Sequence, residues 1–208
     1  MLRLLFALVI AAVVSWPLAA QPALRITVPH DRTVVHPGDT VVVKVSASKG
    51  TFLGVTIIGE KPLDFLQPGV TKTPYDFSIK IPKQISPRLY TLTATGNTGG
   101  KDDPISSNPV SIDVERRDSP QSVTTNISIA KVSIGERIPI TVIGTYSDSP
   151  RIDLSNSTRT TYRSQDPSIA AVTIDGVVTG VSEGSTNIAV HHEGYTVVVK
   201  ATVQRAPN

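Results

Sequence analysis

The chain has 208 residues, with 20 Lys and Arg against 17 Asp and Glu and a formal net charge of +3. It has no cysteine, which excludes disulfide staples, thiol catalysis, cysteine-based zinc sites and a lipoprotein anchor. So small a charge excess, with no dense Lys/Arg run, is not a nucleic-acid signature, and no nucleic-acid partner is expected.

Residues 1–20 read as a signal peptide. Arg3 supplies the positive start, Leu4 to Val14 is an uninterrupted apolar run, Pro17 breaks the helix, and Ala19-Ala20 offers a small-residue cleavage site before Gln21. Leu18 stands at the −3 position, where a small residue is usual. The run is shorter than the roughly 20 apolar residues a bilayer span needs. No second long apolar run follows it. The expectation is a cleaved, exported protein with no membrane span in the mature chain. Its place is periplasmic, cell-surface or extracellular.

Beyond the leader, short runs of Val, Ile and Thr alternate with Pro and Gly, and no stretch sustains a helical period. His36-Pro37-Gly38-Asp39 is a turn. After it Val41, Val43 and Val45 alternate with Val42, Lys44 and Ser46, a half-buried strand. Phe52 to Ile58 is the next strand, ended by Gly59. Tyr75, Phe77, Ile79 and Ile81 alternate with polar residues until Pro82. Tyr90, Leu92 and Ala94 alternate with Thr91, Thr93 and Thr95, and Asn108 to Val114 supplies a last strand. Tyr90 has the position of a tyrosine corner, a tyrosine at the start of a late strand whose hydroxyl bonds back to nearby backbone. The polar segment Glu115-Arg116-Arg117-Asp118-Ser119-Pro120 is the best domain boundary. It divides the mature chain into residues 21–117 and 118–208, each a usual β-sandwich size.

The second part repeats the style. Ile127 to Ile134 is a strand turned at Gly135-Glu136. Ile138, Ile140 and Val142 mark the next, with Pro139 requiring an edge or a bulge because it has no N–H to donate. Asp148-Ser149-Pro150 is a turn. Strands follow at Thr160 to Arg163, Ser185 to Val190 and Tyr195 to Val203, the last two joined by a Glu193-Gly194 turn. The run Ser164 to Val172, followed by Asp175-Gly176-Val177-Val178-Thr179-Gly180, reads as a hairpin. With a two-residue loop, Val172 and Val178 would lie on opposite faces. With the three-residue loop Ile174-Asp175-Gly176, Val172 faces Val178, Ala170 faces Gly180, and both threonines turn outward. The second arrangement is preferred, and it puts Gly176 at the left-handed position of a bulge.

That run resembles the bacterial immunoglobulin-like domain, group 2, as do Gly135, Ile138/Ile140/Val142, Gly144, Tyr146 with Asp148, and Asp153-Leu154-Ser155. The resemblance covers about residues 122–204. Tyr162 departs from it, standing where the family often has Trp. The first half is immunoglobulin-like only in general style. The fold class implied is all-β: two tandem immunoglobulin-like β-sandwich domains after a signal peptide. The resemblance further implies a module of exported bacterial proteins, used in adhesion, recognition or spacing. Its partner would be a protein or a cell-surface glycan, and no binding residue carries over.

A search for chemistry finds no catalytic, cofactor-binding or metal-ligating set, and no cofactor is expected. There is no G-x-S-x-G elbow. His30 and His36 flank a loop and could approach each other. His191 and His192 are strand neighbours pointing to opposite faces, read as exposed histidines that cannot share a metal. Arg116-Arg117 reads as a solvated linker pair. Gly96 to Lys101 lacks P-loop spacing, and Asp102-Asp103 is too small a set for calcium. Asn126-Ile127-Ser128 and Asn156-Ser157-Thr158 fit the glycosylation pattern, though a bacterial source would leave both unmodified. Lys61 to Gly69, with Leu63, Phe65 and Leu66, is either core-facing or an apolar patch for a partner. The function these readings favour is a non-enzymatic surface or periplasmic module. The alternative is a carbohydrate-binding protein, for which Tyr75, Phe77 and Tyr90 look too buried to serve as stacking platforms.

Overall fold

Alternation with period two dominates because each strand buries one face, and a computed structural model shows where those faces go. It describes residues 24–29, 34–48, 52–63, 75–100 and 104–205. The signal segment, His30, Phe65, Leu66 and Asp102-Asp103 lie outside the described residues. All regular elements among the described residues are strands, and no helix there is long and apolar enough to cross a membrane.

The first half contains β1 (Leu24–Thr27), β2 (Val34–Val35), β3 (Thr40–Ala47), β4 (Gly54–Gly59), β5 (Tyr75–Lys80), β6 (Arg88–Asn97), β7 (Ile105–Ser106) and β8 (Val110–Val114). One sheet has the order β1-β3-β5. The other has the order β2-β8-β6-β4, with β7 also paired to β6. Tyr75, Phe77 and Ile79 on β5 face Tyr90, Leu92 and Ala94 on β6 in one apolar cluster. The second half contains β9 (Ser122–Thr125), β10 (Ile129–Ser133), β11 (Arg137–Pro139), β12 (Val142–Thr145), β13 (Ile152–Asp153), β14 (Thr160–Ser164), β15 (Ala170–Val172), β16 (Val177–Gly180), β17 (Gly184–His192) and β18 (Tyr195–Gln204). Its sheets are β10-β18-β17-β14, β11-β16-β15 and β13-β12-β9, enclosing a separate apolar cluster around Val142, Leu154, Val178, Ile188 and Val199.

The halves share a topological device. A leading strand joins one sheet (β1 with β3, β9 with β12), and the next short strand pairs in parallel with the last strand of the other sheet (β2 with β8, β10 with β18). The chain thereby crosses between sheets and shields an edge of the last strand.

The expected strand through Ile138 to Ile143 is two strands. β11 pairs only with β16 and so lies at a sheet edge, where a proline is tolerated. Beyond Pro139, Ile140 N–H still bonds Gly176 O at 2.9 Å. The chain then moves to the other sheet, where β12 pairs with β9 and β13. The side-chain alternation survives the move, since Ile140 and Val142 are both buried.

The hairpin follows the three-residue reading. Val172 pairs with Val178 and Ala170 with Gly180, and Ile174-Asp175-Gly176 forms the loop with Gly176 at φ +76°. Thr173 closes the loop by exchanging backbone bonds with Val177 and Gly176. Upstream, the Asp166 carboxylate caps its own turn, accepting from Ser168 N at 3.0 Å and Ser168 Oγ at 2.5 Å. These bonds hold its pKa below the ordinary carboxylate value. The Asp-Pro-Ser sequence is therefore turn chemistry. At the far end, a Cβ on Gly180 would collide with the Ser133 carbonyl oxygen, so this strand passes too close to β10 for any side chain.

Candidate functional site

The most heavily constrained polar region is the connection between the two cores. Glu115 is 2% exposed and Arg116 6% exposed, so the expected solvated linker pair is half wrong: Arg117 is exposed and Arg116 is buried. The physical reason lies across the chain, because residues thirty and thirty-two positions later, Tyr146 and Asp148, supply a pocket for the guanidinium. Arg116 lies over the Tyr146 ring, 4.2 Å from its centroid, and donates to Asp148 at 2.7 Å and to Asp118 at 3.1 Å. Burial opposes its charge, but the bonds it donates to Asp118 and Asp148 outweigh burial and raise its pKa further. Burial likewise pushes the Tyr146 phenol up to about 12.

Glu115 connects both ways. Its N–H donates to Val35 O at 2.9 Å, and its carbonyl contacts His36 Nδ1 at 2.6 Å, both in the first half. Its carboxylate Oε1 accepts from Ser157 Oγ at 2.8 Å, Thr158 N at 2.8 Å and Thr158 Oγ1 at 3.0 Å, all in the second half. Arg159 adds a bond to Arg116 O at 3.1 Å and an ion pair to Glu193 at 2.6 Å. Arg117 turns back to Asp39, and Tyr195 Oη donates to Pro120 O at 2.8 Å. Successive linker residues therefore bind alternate halves. A chain tied in this pattern cannot swing without leaving a buried charge unpaired, which costs several kcal/mol.

Other residues fall into place individually. His191 and His192 do point to opposite faces, but His192 is not exposed. It is 2% exposed, with Nδ1 2.8 Å from Thr160 Oγ1, because strand parity turns it into the core end of β17. Desolvation lowers its pKa, opposed by Glu193 and aided by Arg159. Tyr90 makes the tyrosine corner, donating to Ser86 O at 2.8 Å. Tyr75, Phe77 and Tyr90 are core residues. Of Lys61 to Gly69 only Lys61, Pro62 and Leu63 are described; Leu63 is fully buried, and Lys61 and Pro62 are exposed. Thr158 of the second glycosylation pattern is bonded to Asp113 and Glu115, and Asn126 Oδ1 accepts from Thr141 N. Asn97 Oδ1 caps Gly99 N in the glycine-rich loop. Among the described residues no group of His, Asp or Glu is arranged to hold a metal.

Sequence reading missed Glu115 and Arg116 as structural residues. Their partners, Tyr146, Asp148 and Ser157 to Arg159, become neighbours only when the second core closes. The one local sign was a run of four charged residues in a chain otherwise sparing with charge.

Facing sheets with a crossing leading strand and no helix among the described residues define an all-β class. Residues 120–206 match the family described as bacterial Ig-like domain (group 2), the segment in which the resemblance was read. No curated protein is significantly similar to the chain. Among solved structures, the S-layer protein SbsC, domains 4–9, is 14% identical, covers 88% of this chain and 30% of its own, with a TM-score of 0.38. SbsC domains 4 and 5 are 14% identical, covering 88% and 99%, with a TM-score of 0.32. Drosophila N-cadherin EC1-4 is 11% identical, covering 89% and 50%, with a TM-score of 0.30. The chain spans 28% of the longer SbsC structure, residues 31–844.

Proposed function

We propose that this is an exported, non-enzymatic module, cleaved after Ala20 and built of two tandem immunoglobulin-like domains, 21–117 and 118–208. It acts at the cell surface or in the periplasm by presenting recognition surfaces at a fixed mutual angle. The observation that carries the reading is the linker, in which buried Glu115 and Arg116 bind the two cores to each other. A flexible tether would need none of these contacts. A module that spaces or displays its surfaces benefits from them, because a preset geometry avoids an ordering penalty on binding.

Expression with the native leader, fractionation and N-terminal sequencing test the export half. The expected product begins at Gln21 outside the cytoplasm, and a cytoplasmic product beginning at Met1 overturns it. Small-angle scattering tests the fixed angle. One rigid shape should fit the data, and a broad ensemble of interdomain angles overturns it.

A further inference from the structure

The outer face of the β10-β18-β17-β14 sheet carries basic residues and no acidic ones on its strands. Residues facing away from the core include Lys131 on β10, Lys200 on β18 and Arg163 on β14, all exposed. None of them has an acidic partner among the ion pairs of the described residues. The four strands contain no Asp or Glu at all. The nearest acids in sequence, Glu183 and Glu193, sit at the ends of β17 and pair with Arg205 and Arg159. Lys131, Arg163 and Lys200 are thus three exposed cations on a sheet face whose strands supply no acid to balance them.

The register sets the pattern. Lys131 pairs with Thr202, two residues along β18 from Lys200. Arg163 pairs with Ala189, which pairs with Val198, two residues along in the other direction. The cations thus lie on one diagonal, and standard strand spacings make it about 20 Å long. Beside them stand Asn187, Ser185, Thr202 and Thr161, small hydrogen-bonding side chains, and Val198 and Ala189 lie between Lys200 and Arg163. The matching sheet of the first half is a built-in comparison. Its strands hold only Arg88 and Asp113 as charged residues, and both are engaged, with Glu60 and Thr158. The fold therefore does not require the basic diagonal.

We propose that this face binds a linear acidic polysaccharide, its anionic groups meeting Lys131, Lys200 and Arg163 and its hydroxyls meeting the amide and hydroxyl side chains beside them. A protein partner is disfavoured because the outward positions, which include exposed Ile129, Val198 and His191, carry no Phe, Tyr or Trp to anchor an interface. The absence of Phe, Tyr and Trp also leaves single-stranded nucleic acid without its usual base-stacking platform. The proposal revives glycan binding through charge and hydrogen bonding in place of ring stacking. It deepens the surface-module reading and rests on it for biological context.

The test is binding of the purified full chain to polygalacturonate, with neutral dextran and duplex DNA as comparators, at low and high salt. The triple variant Lys131→Gln/Arg163→Gln/Lys200→Gln is set against Lys44→Gln/Lys80→Gln/Lys83→Gln, which has the same net charge but alters exposed lysines elsewhere. Thermal unfolding confirms that both variants fold. Polygalacturonate should bind and weaken with salt, and dextran should not bind. The face variant should lose at least about tenfold in affinity, from three charge contacts each worth a modest factor, while the second variant stays within about twofold. Equal losses in the two variants, equal binding of DNA, binding of dextran, or no polygalacturonate binding at low salt overturns the proposal. A chain found in the cytoplasm that still binds through this face would defeat the surface-module reading and leave the assignment of the face intact.

Discussion

Replacing Glu115 with alanine should uncouple the two cores. The carboxylate is 2% exposed, and its Oε1 accepts three hydrogen bonds at 2.8 to 3.0 Å. Ser157 is buried, so its hydroxyl would be stranded at a cost of about 1.5–3 kcal/mol, the range for hydrogen bonds to charged groups. Thr158 is exposed, and water can replace its lost partner, which limits each of its two bonds to about 0.5–1 kcal/mol. Arg159 also loses a carboxylate 3.8 Å from its Nε. The sum is about 3–5 kcal/mol, in line with breaking one side of a buried ion pair. Because the donors lie in one half and the Glu115 backbone is anchored in the other, the loss should fall on the coupling between them. Urea unfolding followed by tyrosine fluorescence and by circular dichroism should give coincident transitions for the native chain and separated ones for Glu115→Ala. A loss under about 1 kcal/mol with coincident transitions refutes the reasoning, since the carboxylate would then hold nothing together.

Gly176→Ala should destabilise by about 2 kcal/mol or more in the same assay, through the left-handed backbone and through a Cβ that would sit 2.6 Å from Tyr162 Cζ. A neutral result would mean that Tyr162 and the loop relax freely. Tyr90→Phe should cost about 1 kcal/mol by deleting the bond to Ser86 O while keeping the ring packed, and a cost near zero would show that the corner is packing alone. His192 should make the fold acid-sensitive. Its folded pKa lies below the ordinary 6.5, so the unfolded chain binds the extra proton. Its contribution to stability is whole above about pH 6.5 and falls as the pH drops toward the lowered folded value. His192→Gln, if folded, should flatten that slope between pH 7 and 5, and an unchanged slope assigns it to another group.

Much of the fold was legible because a strand announces itself locally. Tyr75, Phe77 and Ile79 could be assigned to a core from spacing alone, and Gly176 to a left-handed turn from side-chain parity. Both follow from the two-residue period and from the steric demands of a short loop. The location of a proline was equally readable, since a missing N–H is a property of the residue itself. Where the strand after Pro139 goes was not, because transfer to a second sheet depends on which partner offers carbonyls and N–H groups in space. The same limit hid the junction. Sequence alone shows that residues 115–118 are four charges in a row, and isolated charges are expected to seek water. Whether Arg116 does so depends on Tyr146 and Asp148, which reach it only after the second core has formed. The charge of the β10-β18-β17-β14 face follows the same rule: Lys131, Arg163 and Lys200 are scattered over seventy positions, and only strand register sets them on one diagonal. The sequence by itself determined which residues are core, where the turns lie and that the chain is all-β, since these are local physics. The tertiary structure alone decided which charges are buried, which are paired and which stand together on one surface, because the energy of a charge is set by its neighbours in space.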